Sequence, residues 1–454
     1  MKTFARVFAS AIALLLLTAP AVAQEIAVAQ KPSVTFGPYE YETKPDDEAF
    51  EKFNLRKSPQ PGPMLLQEGD RLAIIGDSIT EQKMYSRMIE TYLTVAYPHL
   101  DISTRQFGWS GETAQGLLRR LENDVLRFDP TLATLAYGMN DARYRPYDVT
   151  NGRWYRDHYT EIVRQLQNTG ARVVVGSPGC AGKIATWVKS RNGTVTEHNL
   201  NLAALRDIAL DIAVTEDARF ADMFWPMLQA QVFAPRNYST DEHPYEVTGR
   251  DGIHPGWAGH VIMAHGFLRA MGIDGDLGTI EIDLEKQTAI ADEHHVVKSF
   301  SDGICEITSD RIPFCADGPL DRDHSIRSGM TLVPFHEDLN RFVLKVSGLN
   351  SDRAKVTWGE QSQEFDADEL SKGILLAKEF PKNPLTDMFE AVDHAVADKQ
   401  AYETVQIKKV FHGPEGQADI EAAVAETESK RAPLVQAIQD ARQPVTHTIR
   451  IEAM

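Results

Sequence analysis

The sequence predicts an α/β domain built on a parallel sheet, followed by a smaller β-rich domain and a helical C-terminal region. Across residues 70–278, short apolar runs alternate with segments whose apolar residues recur at helical spacing. This alternation is typical of right-handed strand–helix–strand crossovers, which cover both faces of a parallel sheet with helices. Residues 279–370 carry short strand-like runs between turn residues, and residues 371–454 carry helical patterns.

The elements of the first domain follow each other in a regular order. Strands are predicted at "RLAIIG", "DISTRQFG", "TLATLAYG", "RVVVGSP" and "RFADMFWPM". Helices are predicted at "MYSRMIETYLTVAY", "TAQGLLRRLENDVLRF", "YRDHYTEIVRQLQNTG", "HNLNLAALRDIALDIAVTE" and "GWAGHVIMAHGFLRAMG". Gly170 ends the third of these helices and Pro255 stands just before the last, and both residues favour a helix boundary.

The region after residue 279 is assigned in the same way. Strands are predicted at "TIEIDL", "GICEITSDRIPFCA", "RFVLKVSGL" and "AKVTWGE". Helices are predicted at "ADELSKGILLAKEF", "LTDMFEAVDHAVADKQAYETVQIKKVF" and "ADIEAAVAETESKRAPLVQAIQDA". The last of these is charged enough to be a solvated helix face or an extended arm.

Residues 1–23 have the pattern of a secretory signal peptide. Lys2 and Arg6 form a basic start, "ASAIALLLLTA" is an apolar core too short to span a bilayer, and "AVA" is a small-residue cleavage site. We therefore expect cleavage after Ala23 and a secreted or periplasmic protein, with an uncleaved anchor as the alternative. Residues 24–69 are polar and proline-rich, and we expect an extended lead-in that packs on the domain surface.

The 454-residue chain is acidic. Its formal charge of −18 becomes −20 when Lys2 and Arg6 leave with the signal peptide. This charge repels nucleic acid and anionic membrane surfaces, so we expect no nucleic-acid partner and no stable membrane insertion. The sequence leaves the oligomeric state open.

The chain has three cysteines, and two of them are near neighbours. In an exported protein, Cys305 and Cys315 are close enough in sequence to form a disulfide across a short loop or hairpin. Two buried free thiols are the alternative. Cys180 is expected to be a buried apolar residue. No Cys/His spacing resembles a structural zinc site.

Three short motifs that could carry chemistry follow strands of the first domain. Ser78 in "GDSIT" begins a helix, where backbone donors favour negative charge, although it can equally be only a helix cap. Gly111 in "FGWSGETA" lets a backbone N–H approach a ligand closely, or else only forms a turn. Asn140 in "AYGMND" carries an amide that can donate to an oxyanion, or else only caps the chain.

A fourth feature, "DGIHPG", places Asp251 three residues before His254. This spacing lets the carboxylate accept the Nδ1 proton of the imidazole and leaves the other ring nitrogen free to take a proton from a hydroxyl. An incidental histidine is the alternative, because the chain has 14 of them. A serine nucleophile needs a base, an orienting carboxylate and oxyanion donors, and the four features together offer a candidate for each role.

In these motifs the sequence resembles the SGNH, or GDSL, hydrolase family. The resemblance rests on "GDSIT", "GWSGETA", "GMND" and "DGIHPG" and covers about residues 70–275. It implies a flavodoxin-like three-layer α/β/α sandwich without metal or cofactor. It also implies that Ser78 is the nucleophile, His254 the general base and Asp251 its orienting acid. The implied oxyanion hole consists of the backbone N–H groups of Ser78 and Gly111 and the side chain of Asn140.

The expected substrate is a small-molecule or polysaccharide O-acyl ester, first of all an O-acetyl ester of carbohydrate. Family resemblance and the exported, acidic chain favour this choice. Trp109 either stacks on a sugar or packs in the wall, and Tyr144 and Arg145 either line the cleft or lie at the surface. Alternatives are a lipid acyl-chain esterase or lysophospholipase, an O-acyltransferase of the same fold, and a carbohydrate-binding or scaffold protein that works through its C-terminal part.

Overall fold

A parallel five-stranded sheet forms the centre of the first domain in the computed structural model, which describes residues 39–188 and 192–454. The predicted signal peptide lies outside the described residues. The strands are β1 Arg71–Gly76, β2 Ser103–Gly108, β3 Leu132–Ala136, β4 Arg172–Gly176 and β5 Arg219–Ala221. Their order is β2-β1-β3-β4-β5, and all neighbours are parallel. This is the flavodoxin-like order, so the predicted fold class is confirmed.

Burial explains why these strands read as continuous apolar runs. Every residue of β3 is buried, and so are five of the six residues of β1, because helices cover both faces of the sheet. The helices are α1 Ser78–Glu81, α2 Tyr85–Ala96, α3 Ala114–Leu118, α4 Val149–Asn168, α5 Val195–Thr215, α6 Phe224–Tyr238 and α7 Trp257–Ala270. Thr194 and Glu197 form a capping box that fixes the start of α5.

Two predicted elements of the first domain differ from the structure, and the later helix predicted at "ADELSKGILLAKEF" is divided by a short strand at Ile374–Leu375. The strand predicted at "RFADMFWPM" stops at Ala221, because the Asp222 side chain accepts the Trp225 N–H at 3.1 Å and helix α6 begins at Phe224. The helix predicted at 113–128 is broken into α3, a π-turn at Leu121–Val125 and a 3-10 turn at Leu126–Phe128. A buried arginine, Arg120, stands at the break and is bonded to carboxylates on both sides of it.

The lead-in packs against α5 and α6. Its 3-10 turn at Glu48–Phe50 buries Phe50 completely, and the Phe50 ring meets the Trp225 ring edge-on at 5.4 Å. Further along, Arg56 pairs with Asp207 and Asp211 on α5. These contacts keep the extended chain on the surface of the helical layer.

The region after residue 275 forms two further sheets. The strands are β6 Asp276–Asp283, β7 Thr288–Ala291, β8 His295–Ser301, β9 Ile304–Ser309, β10 Arg341–Ser347, β11 Arg353–Trp358, β12 Gln361–Asp366, β13 Ile374–Leu375 and β14 Val445–Ala453. One sheet has the order β13-β10-β6-β7, and the other has the order β12-β11-β14-β9-β8. Short helices connect them: α8 Ile326–Gly329, α9 Phe335–Leu339, α10 Ala367–Lys372 and α11 Leu376–Glu379.

The last strand departs from the predicted helical C-terminal region. Strand β14 lies between β11 and β9 and is antiparallel to both. Its core-facing residues His447, Ile449 and Ile451 alternate with exposed ones, which is the period of a half-buried strand. The chain end therefore completes the sheet that begins near residue 295.

A helical layer covers the open edge of the first sheet. It consists of α12 Thr386–Val405, a π-turn at Gln406–Phe411, α13 Pro414–Ala418 and α14 Ile420–Ala441. Edge strand β2 would otherwise leave backbone groups unpaired. Instead, Lys399 and Arg431 donate to the Thr104 carbonyl at 2.6 and 2.9 Å, and the Gln106 N–H donates to Glu403 at 3.1 Å. Side chains of the C-terminal region thus satisfy the edge of the first domain.

All three cysteines are buried free thiols, so the predicted disulfide between Cys305 and Cys315 is wrong. After β9, which contains Cys305, the chain does not return as a hairpin. The Ile312 N–H donates to a backbone carbonyl of α2 at 3.0 Å, and the Cys315 Sγ faces the Asn383 side chain at 3.9 Å. Cys315 is only ten residues after Cys305, but it therefore lies in a different part of the core.

Among the described helices, none is both long and apolar enough to cross a bilayer.

Candidate active site

The nucleophile candidate lies where β1 meets α1. Strand β1 ends at Gly76, where a Cβ atom would come within 2.1 Å of the Thr80 hydroxyl and 2.8 Å of a backbone carbonyl of β3. Only glycine fits there, so the chain turns at once into α1 with Asp77 as the N-cap. Ser78 is the first helical residue, and its Oγ is 2.8 Å from Nε2 of His254. The structure thus brings together two residues 176 positions apart.

The base candidate is oriented by its own loop. The Asp251 Oδ2 atom is 2.8 Å from Nδ1 of His254, while Oδ1 accepts the backbone N–H groups of Ile253 and His254 at 2.8 and 2.9 Å. Burial alone would raise the pKa of Asp251, but the hydrogen bonds from His254 and Ile253 hold it below its usual value. An ionised carboxylate at Nδ1 keeps the proton on that nitrogen, so Nε2 can accept the Ser78 hydroxyl proton.

The loop after β3 places Asn140 beside the loop after β2. The Asn140 amide nitrogen donates to the Glu112 carbonyl at 3.1 Å and lies 3.3 Å from Asp77 Oδ2. Its oxygen accepts the Tyr144 hydroxyl at 2.9 Å, which fixes the amide orientation. Gly111 directly precedes Glu112 and adopts φ +74°, a conformation that favours glycine. The two oxyanion-donor candidates are therefore adjacent at the carboxyl edge of the sheet.

A buried acidic group lies beneath this edge. The Asp141 side chain accepts the backbone N–H groups of Ala114 and Gly138 at 2.9 and 3.0 Å, which joins the loops after β2 and β3. Burial raises the pKa values of Asp77 and Asp141 to about 7. The bridging of two loops by Asp141 depends on contacts that "GMND" alone does not reveal.

Glu112 has its own buried partners. Its carboxylate accepts the Arg120 guanidinium at 2.6 and 2.7 Å and the Tyr137 hydroxyl at 2.6 Å. Both Glu112 and Arg120 are buried, so this ion pair anchors the residue that follows Gly111. The loop that carries Gly111, the candidate oxyanion loop, is thus held on its C-terminal side from within the domain.

The three predicted substrate contacts have different environments. The Trp109 ring is partly buried, with the Arg120 guanidinium 5.1 Å and the Lys408 ammonium 5.0 Å from its centroid. Tyr144 is half-buried and bonded to Asn140. The Arg145 carbonyl accepts the Asn201 side chain at 2.9 Å, so this residue also anchors its loop to α5.

Trp187 is a residue that the sequence predictions missed. It lies in the loop between β4 and α5 and is 47% exposed. Its ring is 5.6 Å from the His254 ring and meets the Tyr144 ring edge-on at 6.1 Å. An aromatic residue after a strand of a parallel sheet was the signal that could have found it.

Within residues 39–188 and 192–454, no group of three or more His, Cys, Asp or Glu side chains is arranged to hold a metal ion.

Known proteins resemble this chain in sequence and in structure. Residues 74–262 match the GDSL-like lipase/acylhydrolase family. An acetylxylan esterase of Geobacillus stearothermophilus is 24% identical over 237 residues, which are 46% of this chain and 98% of that protein. The crystal structure of the acetylxylan esterase Axe2 from the same organism covers 46% of this chain and 97% of its own, at 21% identity and a TM-score of 0.37.

A second solved structure resembles a larger part of the fold. A gut microbial diltiazem-metabolizing enzyme is 21% identical, with a TM-score of 0.66, and covers 87% of this chain and 100% of its own. At that coverage the likeness in fold extends beyond the first domain.

The fold, the motifs, the acylhydrolase family match and the acetylxylan esterase relative define a carboxylic ester hydrolase. Residues 74–262, within the first domain, carry the sequence features of the SGNH, or GDSL, hydrolase family.

Proposed function

We propose that this protein is an exported serine esterase that removes O-acyl groups, first of all O-acetyl groups, from carbohydrate. The observation that carries the proposal is the hydrogen-bonded line from Ser78 Oγ through His254 to Asp251, with 2.8 Å at each step. A hydroxyl, an acceptor nitrogen and an orienting carboxylate in one line are what a serine nucleophile requires.

The chemistry proceeds in two acyl transfers. Ser78 Oγ attacks the ester carbonyl carbon as its proton passes to Nε2 of His254, and Asp251 stabilises the imidazolium that forms. The tetrahedral intermediate collapses, the bond to the alcohol oxygen breaks, and His254 protonates the departing alkoxide. Water then attacks the acyl-serine with His254 again as base, which releases the acid and restores the Ser78 hydroxyl.

Three donors would stabilise the oxyanion of each intermediate. They are the N–H of Ser78 at the start of α1, the N–H of Gly111, and the amide of Asn140. The amide nitrogen is already aimed at this edge of the sheet, and its 3.3 Å separation from Asp77 is long for a hydrogen bond. Little reorientation is needed to bind a developing negative charge, which is the condition for effective electrostatic stabilisation.

Two observations support carbohydrate as the substrate class. One curated relative is an acetylxylan esterase, although its identity is only 24%. In addition, the exposed Trp187 ring beside His254 offers a flat apolar face of the kind on which sugar rings stack. Export would bring such an enzyme to extracellular polymers, and N-terminal sequencing of the mature protein tests the expected cleavage after Ala23.

The decisive experiment is release of acetate from a panel of acetylated glycans, beside nitrophenyl esters of acetate, butyrate and longer acids. We expect acetyl esters to be preferred and the Ser78→Ala protein to be inactive on all of them. A strong preference for long chains would favour the lipid esterase instead. Transfer of the acetyl group to a second sugar in place of water would favour the acyltransferase, and absence of turnover with tight glycan binding would favour the binding protein.

A further inference from the structure

The C-terminal helical layer reaches the rim of the candidate active site at one lysine. Lys408 lies in the π-turn that follows α12, and its Nζ is 2.7 Å from Oε1 of Glu81. These residues are 327 positions apart, and their side chains are only 24% and 18% exposed. A partly buried pair of this kind is screened less by water than a surface pair.

Glu81 connects this lysine to the oxyanion loop. It is the last residue of α1, the helix that begins with Ser78. Its other oxygen, Oε2, accepts both the backbone N–H and the hydroxyl of Ser110 at 2.5 Å. Since Ser110 directly precedes Gly111, one carboxylate joins the nucleophile helix, the oxyanion loop and the C-terminal layer.

The same layer also contacts Trp109, the residue before Ser110. The Lys408 ammonium lies 5.0 Å from the Trp109 ring centroid, and the His412 ring meets that indole edge-on at 4.9 Å. His412 is itself bonded to Asp124 at 2.9 Å.

Burial alone would raise the pKa of Glu81, but the hydrogen bonds from Lys408 and Ser110 lower it, so the carboxylate stays charged.

Two backbone hydrogen bonds also support the loop, from the Trp109 N–H to the Gly76 carbonyl at 3.0 Å and from the Glu112 N–H to the Trp109 carbonyl at 3.2 Å. Ser110 and Gly111 are exposed, and a Cβ placed on Gly111 would meet no atom within 4 Å. Packing therefore does not fix the Gly111 N–H from its outer side. Besides these two backbone bonds, the position of this donor depends on the Ser110 bonds before it and the Glu112 bonds after it.

We infer that the C-terminal region is part of the catalytic unit, because Lys408, acting through Glu81, positions the Gly111 N–H for the oxyanion. Lys408 is a positioning residue in this scheme and does not touch the reacting atoms. The inference rests on the proposed function, since it assumes that Gly111 donates to an acyl-transfer intermediate. It also assigns a role to the helices after residue 386, which lie outside the matched family region.

The test compares Lys408→Met with Lys409→Met, because Lys409 is the exposed next residue. With nitrophenyl acetate we expect kcat to fall about tenfold in Lys408→Met and KM to change by less than about twofold, since the oxyanion exists only in the intermediate and transition state. Lys409→Met should match the parent, and Lys408→Arg should recover most of the activity. Thermal unfolding of all variants is measured in parallel.

A second variant makes the result independent of folding defects. Glu81→Gln should lower kcat to a similar degree, and the double variant should be no worse than either single one, because both remove one connection. Unchanged kcat in Lys408→Met, additive losses in the double variant, or a rise in KM alone would each overturn the inference. If Ser78→Ala is inactive while Lys408→Met is normal, only the positioning role fails. If Ser78→Ala keeps its activity, the proposed function fails as well.

Discussion

Within residues 39–188 and 192–454, two serines are hydrogen-bonded to histidine rings at nearly equal distances but in very different surroundings. At the edge of the first sheet, Ser78 Oγ is 2.8 Å from Nε2 of His254. In the C-terminal sheet, Ser309 Oγ is 2.9 Å from Nε2 of His447 and 2.8 Å from Nδ1 of His295. By distance alone, either serine has a base within reach.

The second pair belongs to a buried chain in which every donor is fixed. The Trp358 indole N–H can only donate, so Nδ1 of His447 accepts it at 3.1 Å and Nε2–H of His447 donates to Ser309. The carbonyl of Leu277 can only accept, so His295 donates to it from Nε2 at 2.8 Å and receives the Ser309 hydroxyl on Nδ1. Both histidines are therefore neutral. Three of the hydrogen bonds join strands of one C-terminal sheet, and the bond from His295 to Leu277 joins that sheet to the other.

The difference shows what a nucleophile needs besides a nearby imidazole. Ser309 is fully buried, whereas the His254 side chain is 28% exposed at the sheet edge. His254 has a carboxylate at 2.8 Å, but the nearest carboxylate to His295 is Asp292 at 3.9 Å. Access, an orienting carboxylate and oxyanion donors separate a reactive serine from one that only links strands.

The largest expected effect separates the two serines directly. Ser78→Ala should lower kcat with nitrophenyl acetate by about 10⁴-fold or more, because it removes the nucleophile. Ser309→Ala should leave kcat near the parent value but lower the free energy of unfolding by about 1–3 kcal/mol, because two buried ring nitrogens lose their partner. Ester hydrolysis and urea unfolding of both proteins measure this. A large activity loss in Ser309→Ala at full folding would remove the distinction.

The next effect concerns the oxyanion donors proposed at the first site. Asn140→Ala should lower kcat by about 10²–10³-fold with little change in KM, as expected for loss of one oxyanion donor. Asn151→Ala is the matched control, because Asn151 is a buried asparagine whose side-chain amide donates to the Asp141 carbonyl at 2.8 Å. Steady-state kinetics on acetyl esters compare the two. An unchanged rate in Asn140→Ala would leave that residue a loop role only.

The buried chain of Ser309 and its two histidines should make the free energy of unfolding depend on pH. Burial first, and His295 second, lower the pKa of His447 from 6.5 to about 4. Because the folded-state pKa is below the unfolded one, this histidine contributes stability that is present above pH 6.5 and is lost as the pH falls toward 4. The total contribution is about 3 kcal/mol, at about 1.4 kcal/mol per pKa unit.

Urea unfolding at several pH values between 7 and 4.5 tests this expectation. His447→Gln should show a shallower fall in the free energy of unfolding than the parent, while His243→Gln, at an exposed site, should follow the parent. The slope should decrease without vanishing, because burial also lowers the pKa values of His198 and His336 to about 4. An unchanged slope in His447→Gln would contradict the neutral hydrogen-bonded chain.

The sequence was sufficient for the sheet that carries the first pair. Alternating apolar runs and helical patterns predicted its strands, and a parallel sheet places the carboxyl ends of all strands on one edge. That rule alone brings "GDSIT" near "GMND", although these motifs are 60 residues apart, as the contact between Asn140 and Asp77 across 63 positions illustrates. Local motifs are therefore sufficient to predict a site whose parts are brought together by the topology of the sheet.

The sequence was insufficient where contacts have no local signal. Nothing near Lys408 indicates a partner 327 residues away, and nothing in "VTHTIRIEA" shows that this strand lies between β9 and β11. The cysteine prediction was wrong for the same reason, since compartment and spacing say nothing about where the chain goes after β9. Long-range pairing of strands and side chains decided all three cases.

The smallest expected effect tests how the first site holds its amide donor. Tyr144→Phe removes the 2.9 Å hydrogen bond to Asn140 Oδ1, so the amide is free to rotate away from the oxyanion position. We expect kcat to fall about tenfold, the worth of one buried hydrogen bond, and KM to stay the same. Tyr147→Phe is the control, because Tyr147 is 44% exposed on the same loop.

A double-variant cycle with Asn140→Ala identifies the cause of that loss. If Tyr144 acts by orienting the amide, Tyr144→Phe should have no further effect once Asn140 is alanine. Equal losses in both backgrounds would mean that the Tyr144 hydroxyl acts on the substrate itself, as a cleft-lining residue would. Backbone φ values of +54° and +53° at Arg143 and Tyr144 hold this turn in a sparsely populated conformation, and the phenylalanine variant leaves that backbone unchanged. The cycle therefore separates the effect of the Tyr144 hydroxyl from the fold of the loop. The buried Ser309 chain does not permit this separation, because its groups also join strands.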